Sequence, residues 1–91
     1  MKKFIVEREI PGLGNLSNEE LQAIARKSND TLKDMNTEYH WVESFVTGDK
    51  MYCVHMAPDE ATVREHARRG QFPVTSVTEV LAGINSTTTG D

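Results

Sequence analysis

Two runs of strand-forming residues, 38–47 (EYHWVESFVT) and 50–57 (KMYCVHMA), are separated only by Gly48-Asp49. Tyr, Trp, Phe, Val and Thr favour pleated backbone. A two-residue, Gly-bearing connection is a hairpin signal, so these strands must pair antiparallel. The segments flanking the hairpin repeat one plan. Residues 2–10 (KKFIVEREI) read as a strand with Phe4 and Val6 on one face and Ile5 and Glu7 on the other. Pro11 to Asn15 supplies turn chemistry. Ser17, three residues before Glu20, is a capping-box signature for a helix over 18–35. In that helix Leu21, Ile24, Ala25, Ser28, Leu32 and Met35 form the apolar stripe, and Asn18, Gln22, Arg26, Asp30 and Lys33 the opposite face. After the hairpin, Pro58 is placed at the first position of a second helix, with Asp59 and Glu60 in its first turn and Gly70 as its cap. Val63 and Ala67 are its inward residues, and Glu60–Arg64 and Glu65–Arg69 are pairs at i, i+4. Residues 75–82 (TSVTEVLA) read as the fourth strand.

The order β-α-β-β-α-β is the ferredoxin-like split βαβ pattern, an α+β fold. It places two helices on one face of a four-stranded antiparallel sheet. Residues 1–84 form the expected single domain, and 85–91 (NSTTTGD) the expected flexible tail. Tyr39, Trp41 and Phe45 are assigned to one side of the second strand, Val42 and Val46 to the other. With apolar residues on both sides, that strand needs a second cover, and a homodimer packed sheet to sheet is the expected solution. Leu, Ile, Val and Phe make up only 20 of the 91 residues. A thin core of this kind gains from burial in an oligomer.

Charge and cysteine usage exclude several classes. The net charge of −4 argues against a nucleic-acid footprint. The RNA-recognition version of this topology needs stacking aromatics and a basic, glycine-bearing strand, which MYCVHMA does not supply. No apolar run approaches the ~18 residues of a membrane span. The charges in FIVEREIPG argue against a signal peptide, so a cytoplasmic protein is expected. A single cysteine, Cys53, excludes an internal disulfide framework and a Cys-rich zinc module.

Four residues stand out as metal donors. Cys53 and His55 are two apart on one strand and share a face. A thiolate beside an imidazole can begin a transition-metal site, but two ligands do not close one. A third ligand could come from His40, from His66 on the second helix, or from a second copy. His66 is expected at the half-exposed edge of the helix's buried stripe. Glu7 and Arg8 are adjacent in a central strand, so one of them must face a covered layer and needs a partner. Glu7 is thus a candidate ligand or base. The plainer readings stand beside these: a strand cysteine usually packs as a small hydrophobe, a lone histidine is usually just hydrogen-bonded, and Glu7 is more often ion-paired.

FIVEREIPG, WVESFVTGDKMYCVHMAPDEATVREH and GQFPVTSVTEV together resemble the nickel-binding ferredoxin-like proteins, with Tyr52 to His66 the most specific stretch. The resemblance implies a ferredoxin-like fold, a homodimer and nickel bound without catalysis. It aligns Cys53, His66 and Glu7 with family positions, and His55 is a further candidate ligand. Where members often carry an acid before Ala-Pro, this chain has Met56. Two other functions remain open. One is a dimeric α/β-barrel enzyme or small-molecule binder using a cavity under the open sheet face, lined by Tyr52, Trp41 and His40. The other is a protein-interaction module.

Overall fold

The computed structural model describes residues 1–90. Its elements run β1 (Lys2–Glu9), α1 (Asn18–Met35), β2 (His40–Val46), β3 (Lys50–Ala57), α2 (Glu60–Gly70) and β4 (Ser76–Val80). The sheet order is β2-β3-β1-β4 and all three pairings are antiparallel. This is the expected ferredoxin-like α+β arrangement, with β1 central. Among the described residues no helix is long and apolar enough to cross a membrane.

The local signals are realised atom by atom. Ser17 Oγ accepts from Glu20 N at 3.1 Å, and Glu20 Oε1 accepts from Ser17 N at 3.0 Å. This reciprocal pair satisfies two donors that the first turn of α1 leaves free. Asn36 ends α1 in the left-handed region at φ 49°, a conformation its short polar side chain tolerates. The β2–β3 turn closes with Thr47 N donating to Lys50 O at 2.9 Å. A short 3-10 turn over Leu13–Asn15 packs on this hairpin, where Gly14 N donates to Gly48 O at 2.9 Å. A Cβ on Gly14 would lie 2.9 Å from Gly48 Cα and Thr47 O, so only glycine permits this approach.

The helix-facing side of the sheet carries Phe4, Val6 and Arg8 from β1 and Met51, Cys53, His55 and Ala57 from β3, all buried. Val63, His66, Ala67 and Gly70 of α2 close over them. The core is as thin as composition implied: Phe4, Val6, Leu13, Met51, Cys53, Ala57 and Val63 form its buried cluster.

Three boundary or face assignments differ from the sequence reading. Asp59, not Pro58, starts α2: its carboxylate accepts from Thr62 N at 2.8 Å, and Pro58 precedes the cap. Gly70 is the last helical residue, and Gln71 takes the left-handed position at φ 59°. Gly70 is required for another reason, because a Cβ there would lie 2.3 Å from the Phe72 ring. In β2, a bulge between Trp41 and Glu43 resets the alternation. Trp41 therefore sits opposite His55 with Ser44 opposite Cys53 on the helix side, whereas Phe45 sits opposite Tyr52 on the open side. Strict period-two counting had put Trp41 and Phe45 together, and one inserted residue separates them. In the segment expected as a tail, residues 85–90 are exposed, and Asn85 Oδ1 accepts from Thr87 N at 2.8 Å, closing a local turn. Asp91 lies outside the described residues.

Phe4 is the largest apolar side chain in the buried layer. Truncating Phe4→Ala should cost about 3–5 kcal/mol. Urea denaturation of the variant should show the midpoint falling steeply. A change below ~0.5 kcal/mol, the usual range for surface positions, would show that Phe4 is not in the core.

A buried histidine pair beside an arginine without a carboxylate

The polar residues of the buried layer are brought together by two periodicities. Along β1, every second residue from Phe4 faces the helices, which delivers Arg8 to the interior at 2% exposure. Along β3 the same alternation delivers Cys53 and His55. His66 lies three residues after Val63 on the inward stripe of α2. His66 is only 1% exposed rather than half-exposed, because Tyr39 and Phe72 pack against its ring at centroid distances of 5.3 and 5.4 Å. The imidazoles of His55 and His66 lie 5.6 Å apart, and Tyr39 stands edge-on to His55 at 5.2 Å.

Few of these polar atoms are satisfied. Ser28 Oγ and His66 Nε2 share a hydrogen bond of 3.2 Å. His66 Nδ1, both ring nitrogens of His55 and the Tyr39 hydroxyl are buried without a protein partner. Arg8 Nη1 donates to Pro73 O at 2.8 Å, and its guanidinium lies 5.5 Å from the centroid of the Phe72 ring. No carboxylate pairs with Arg8 among the described residues. Desolvation is the main cause that pushes the His55 pKa down to about 3, with the neighbouring His66 and Arg8 adding to it. Burial also lowers His66, a hydrogen bond to Ser28 works against it, and Arg8 lowers it further. Burial raises the Tyr39 phenol. The pair is therefore neutral imidazole, the form in which nitrogen lone pairs are free.

Beside this cluster is a cavity of about 170 Å³ between α1 and the β1–β3–β2 side of the sheet. Leu21, Ile24, Ala25 and Ser28 of α1 form its roof, and Arg8, Cys53, His55 and His66 are in its walls. α1 packs more closely on α2 than on the strands beneath it, which leaves the space open. The cavity is on the helix side, not under the open sheet face. Trp41, expected with Tyr52 and His40 under the open face, lines this helix-side cavity instead, and Tyr52 and His40 do not. Trp41 Nε1 donates to Ser44 Oγ at 2.9 Å at its edge.

Three of the four candidate donors, His66, His55 and Cys53, thus line one cavity. Glu7 does not join them. It sits opposite Tyr52 on the open face, where its carboxylate lies 3.7 Å from Lys50 Nζ. Arg8 is the residue of that pair that enters the covered layer. The signal for Arg8 was its even spacing from Phe4 and Val6. Tyr39 and Phe72 had no such signal, because they lie in loops whose folding over α2 is tertiary.

Two neutral buried imidazoles must be charged when the chain unfolds below their ordinary pKa. The unfolded state then binds more protons than the native one, so stability falls with falling pH. For His55 the loss begins near pH 6.5 and continues toward about 3. Its slope approaches about 1.4 kcal/mol per pH unit for one proton. Urea denaturation at pH 7, 6 and 5 should show this decline, and His55→Phe should flatten it. An equal decline in the variant would assign the effect elsewhere.

Comparison with known proteins places this architecture. No curated protein sequence matches the chain. The crystal structure of SCO4226 from Streptomyces coelicolor A3(2) superposes with a TM-score of 0.71 at 20% identity, covering 90% of this chain and 99% of that one. At this identity the likeness carries the fold. A family model described as nickel responsive protein SCO4226-like matches residues 4–80, which hold all six elements from Phe4 onward. The chain belongs to the SCO4226-like family.

Proposed function

We propose that this chain is a small nickel-binding protein without a catalytic role, and that His55 and His66 are its metal donors. One observation carries the reading: three imidazole nitrogens, two on His55 and one on His66, are buried, unpartnered and beside a cavity. Neutral imidazole suits nickel and other late divalent metals. The family description, nickel responsive, points the same way. The residues fit a two-imidazole site with open positions. Among the described residues no group of three or more His, Cys, Asp or Glu is placed to hold a metal ion. Cys53 is the nearest further donor on the same strand face, and Glu7 is excluded by the sheet between them. Arg8 adds a positive charge to the same walls, so a metal dication would enter with an anion. Bound nickel would supply Lewis acidity, whereas the chain itself would contribute two imidazole lone pairs and a largely apolar wall. A catalytic dyad of Cys53 and His55 is disfavoured, because a working base needs a third group to orient it and neither nitrogen of His55 has a partner.

The same reading includes a homodimer. On the open face Phe45 is 51% and Ile5 41% exposed, with Tyr52, Val54 and Met56 half-covered between them. An antiparallel sheet can leave one face to water, but a face carrying exposed Phe45 and Ile5 is an apolar patch of the kind that marks an interface, and a second copy offers a matching surface. A single thiol with no disulfide partner suits a reducing compartment, and the proposal places the protein in the cytoplasm.

Calorimetric titration of Ni²⁺ into EDTA-treated, tag-free protein at pH 7.5 tests the metal. His55→Ala and His66→Ala should each weaken binding by tenfold or more, in the range reported for losing a ligand's support, and Glu7→Gln should leave it unchanged. Absence of binding, or undiminished binding in both alanine variants, would remove this site. Light scattering at micromolar concentration tests assembly. The native protein should give twice the 10.2 kDa of the chain, and Phe45→Glu should give the single-chain mass. A native mass of 10.2 kDa would contradict the dimer.

A further inference from the structure

The cavity holds a cation without an anion, and this constrains a ligand independently of nickel. Arg8 reaches the cavity wall at 2% exposure with only a backbone carbonyl and an aromatic face as partners. No Asp or Glu lines the cavity, so the Arg8 guanidinium has no carboxylate to meet in its walls. A buried guanidinium is strongly favoured by a carboxylate, which it can grip through two parallel N–H donors. The rest of the wall is largely apolar: Leu21, Ile24, Val46 and Met51 contribute hydrocarbon, and Trp41 a flat ring. Two hydroxyls, Ser28 and Ser44, are the remaining polar groups. An apolar pocket with a few convergent polar groups is the usual form of a small-molecule site. At about 170 Å³ it exceeds by little a cavity that holds benzene, roughly 150 Å³. The part of an occupant that the walls cover is therefore about one ring, or a branched chain of similar bulk.

We propose that the cavity between α1 and the β1–β3–β2 surface binds a small apolar monocarboxylate, aromatic or branched, with its carboxylate on Arg8 and its hydrocarbon between Trp41 and α1. Inorganic anions match the charge but not the walls. Neutral rings match the walls but leave Arg8 unpaired. The carboxylate site shares its cavity with the nickel reading but does not rest on it, because it needs no metal and its anchor is a residue that cannot ligate one.

The test uses the full chain in EDTA, with sodium benzoate as probe, followed by amide NMR titration. Benzoate should give saturable shifts at Ser28, Ser44, Cys53 and His55. Benzamide, the same ring without the charge, and inorganic phosphate should each bind at least tenfold more weakly, the scale of a charge-assisted hydrogen bond. Arg8→Met should abolish the benzoate shifts. Ala25→Leu, which fills the cavity from α1 and leaves Arg8 in place, should do the same. If Arg8→Met does not fold, Ala25→Leu and the benzamide ratio decide. Equal binding of benzamide or phosphate would overturn the proposal. So would shifts confined to Ile5, Phe45 and Val54 on the open face, the absence of saturable shifts at millimolar benzoate, or shifts that appear only after nickel is added. The last outcome would make the carboxylate a metal ligand, and a null nickel titration with positive benzoate binding would separate the two readings.

Discussion

The structure depends on how a small two-layer domain accommodates Arg8. A guanidinium taken out of water loses its hydration and is normally compensated by a buried carboxylate. Here the compensation is the Pro73 carbonyl at 2.8 Å and the face of Phe72. Both belong to the loop after α2, so the charge ties that loop across the end of the sheet. The loop in turn puts Phe72 over Gly70 and against His66. One buried cation thus helps to position the aromatic lid, and the lid makes His66 an interior residue. The same charge discourages protonation of both histidines. The polar cluster is a single electrostatic unit built from β1, β3, α2 and two loops.

The cluster sits where the fold is least filled. α1 lies close to α2 and spans β2 and β3 at greater distance, with Ala25 and Ser28 as its small facing residues. The apolar core is concentrated at β1, β3 and α2. A domain of this size has little apolar surface to spare, and buried polar atoms without a protein partner weaken it further. An occupant that binds only the native state would return stability by mass action. This is the physical reason for reading the cavity as a place for a ligand.

The fold was legible in the sequence because its signals are local. The capping box at Ser17 and Glu20, the two-residue turn at Gly48-Asp49 and the alternation in β1 and β3 each depend on residues within a few positions. Their order then leaves one common topology. Of the candidate site, the shared face of Cys53 and His55 followed from strand alternation, and Arg8 or Glu7 was known to enter the covered layer. What was not legible is tertiary. The bulge between Trp41 and Glu43 separates the faces of Trp41 and Phe45 and leaves Trp41 on the cavity side. The burial of His66 depends on Tyr39 and Phe72 arriving from loops 27 residues before and 6 residues after it. The cavity itself depends on the distance between two layers, which no residue pattern encodes.

The central claim is that His55 is a neutral, unpartnered imidazole held under the sheet beside Arg8. Long-range ¹H–¹⁵N NMR of the histidine rings at pH 5 reads this directly, because neutral and charged imidazole nitrogens resonate far apart. With its pKa pushed down to about 3, His55 should give the neutral pattern at pH 5. An imidazolium pattern for His55 at that pH would contradict the account, because it would mean that water or an acidic partner reaches the ring.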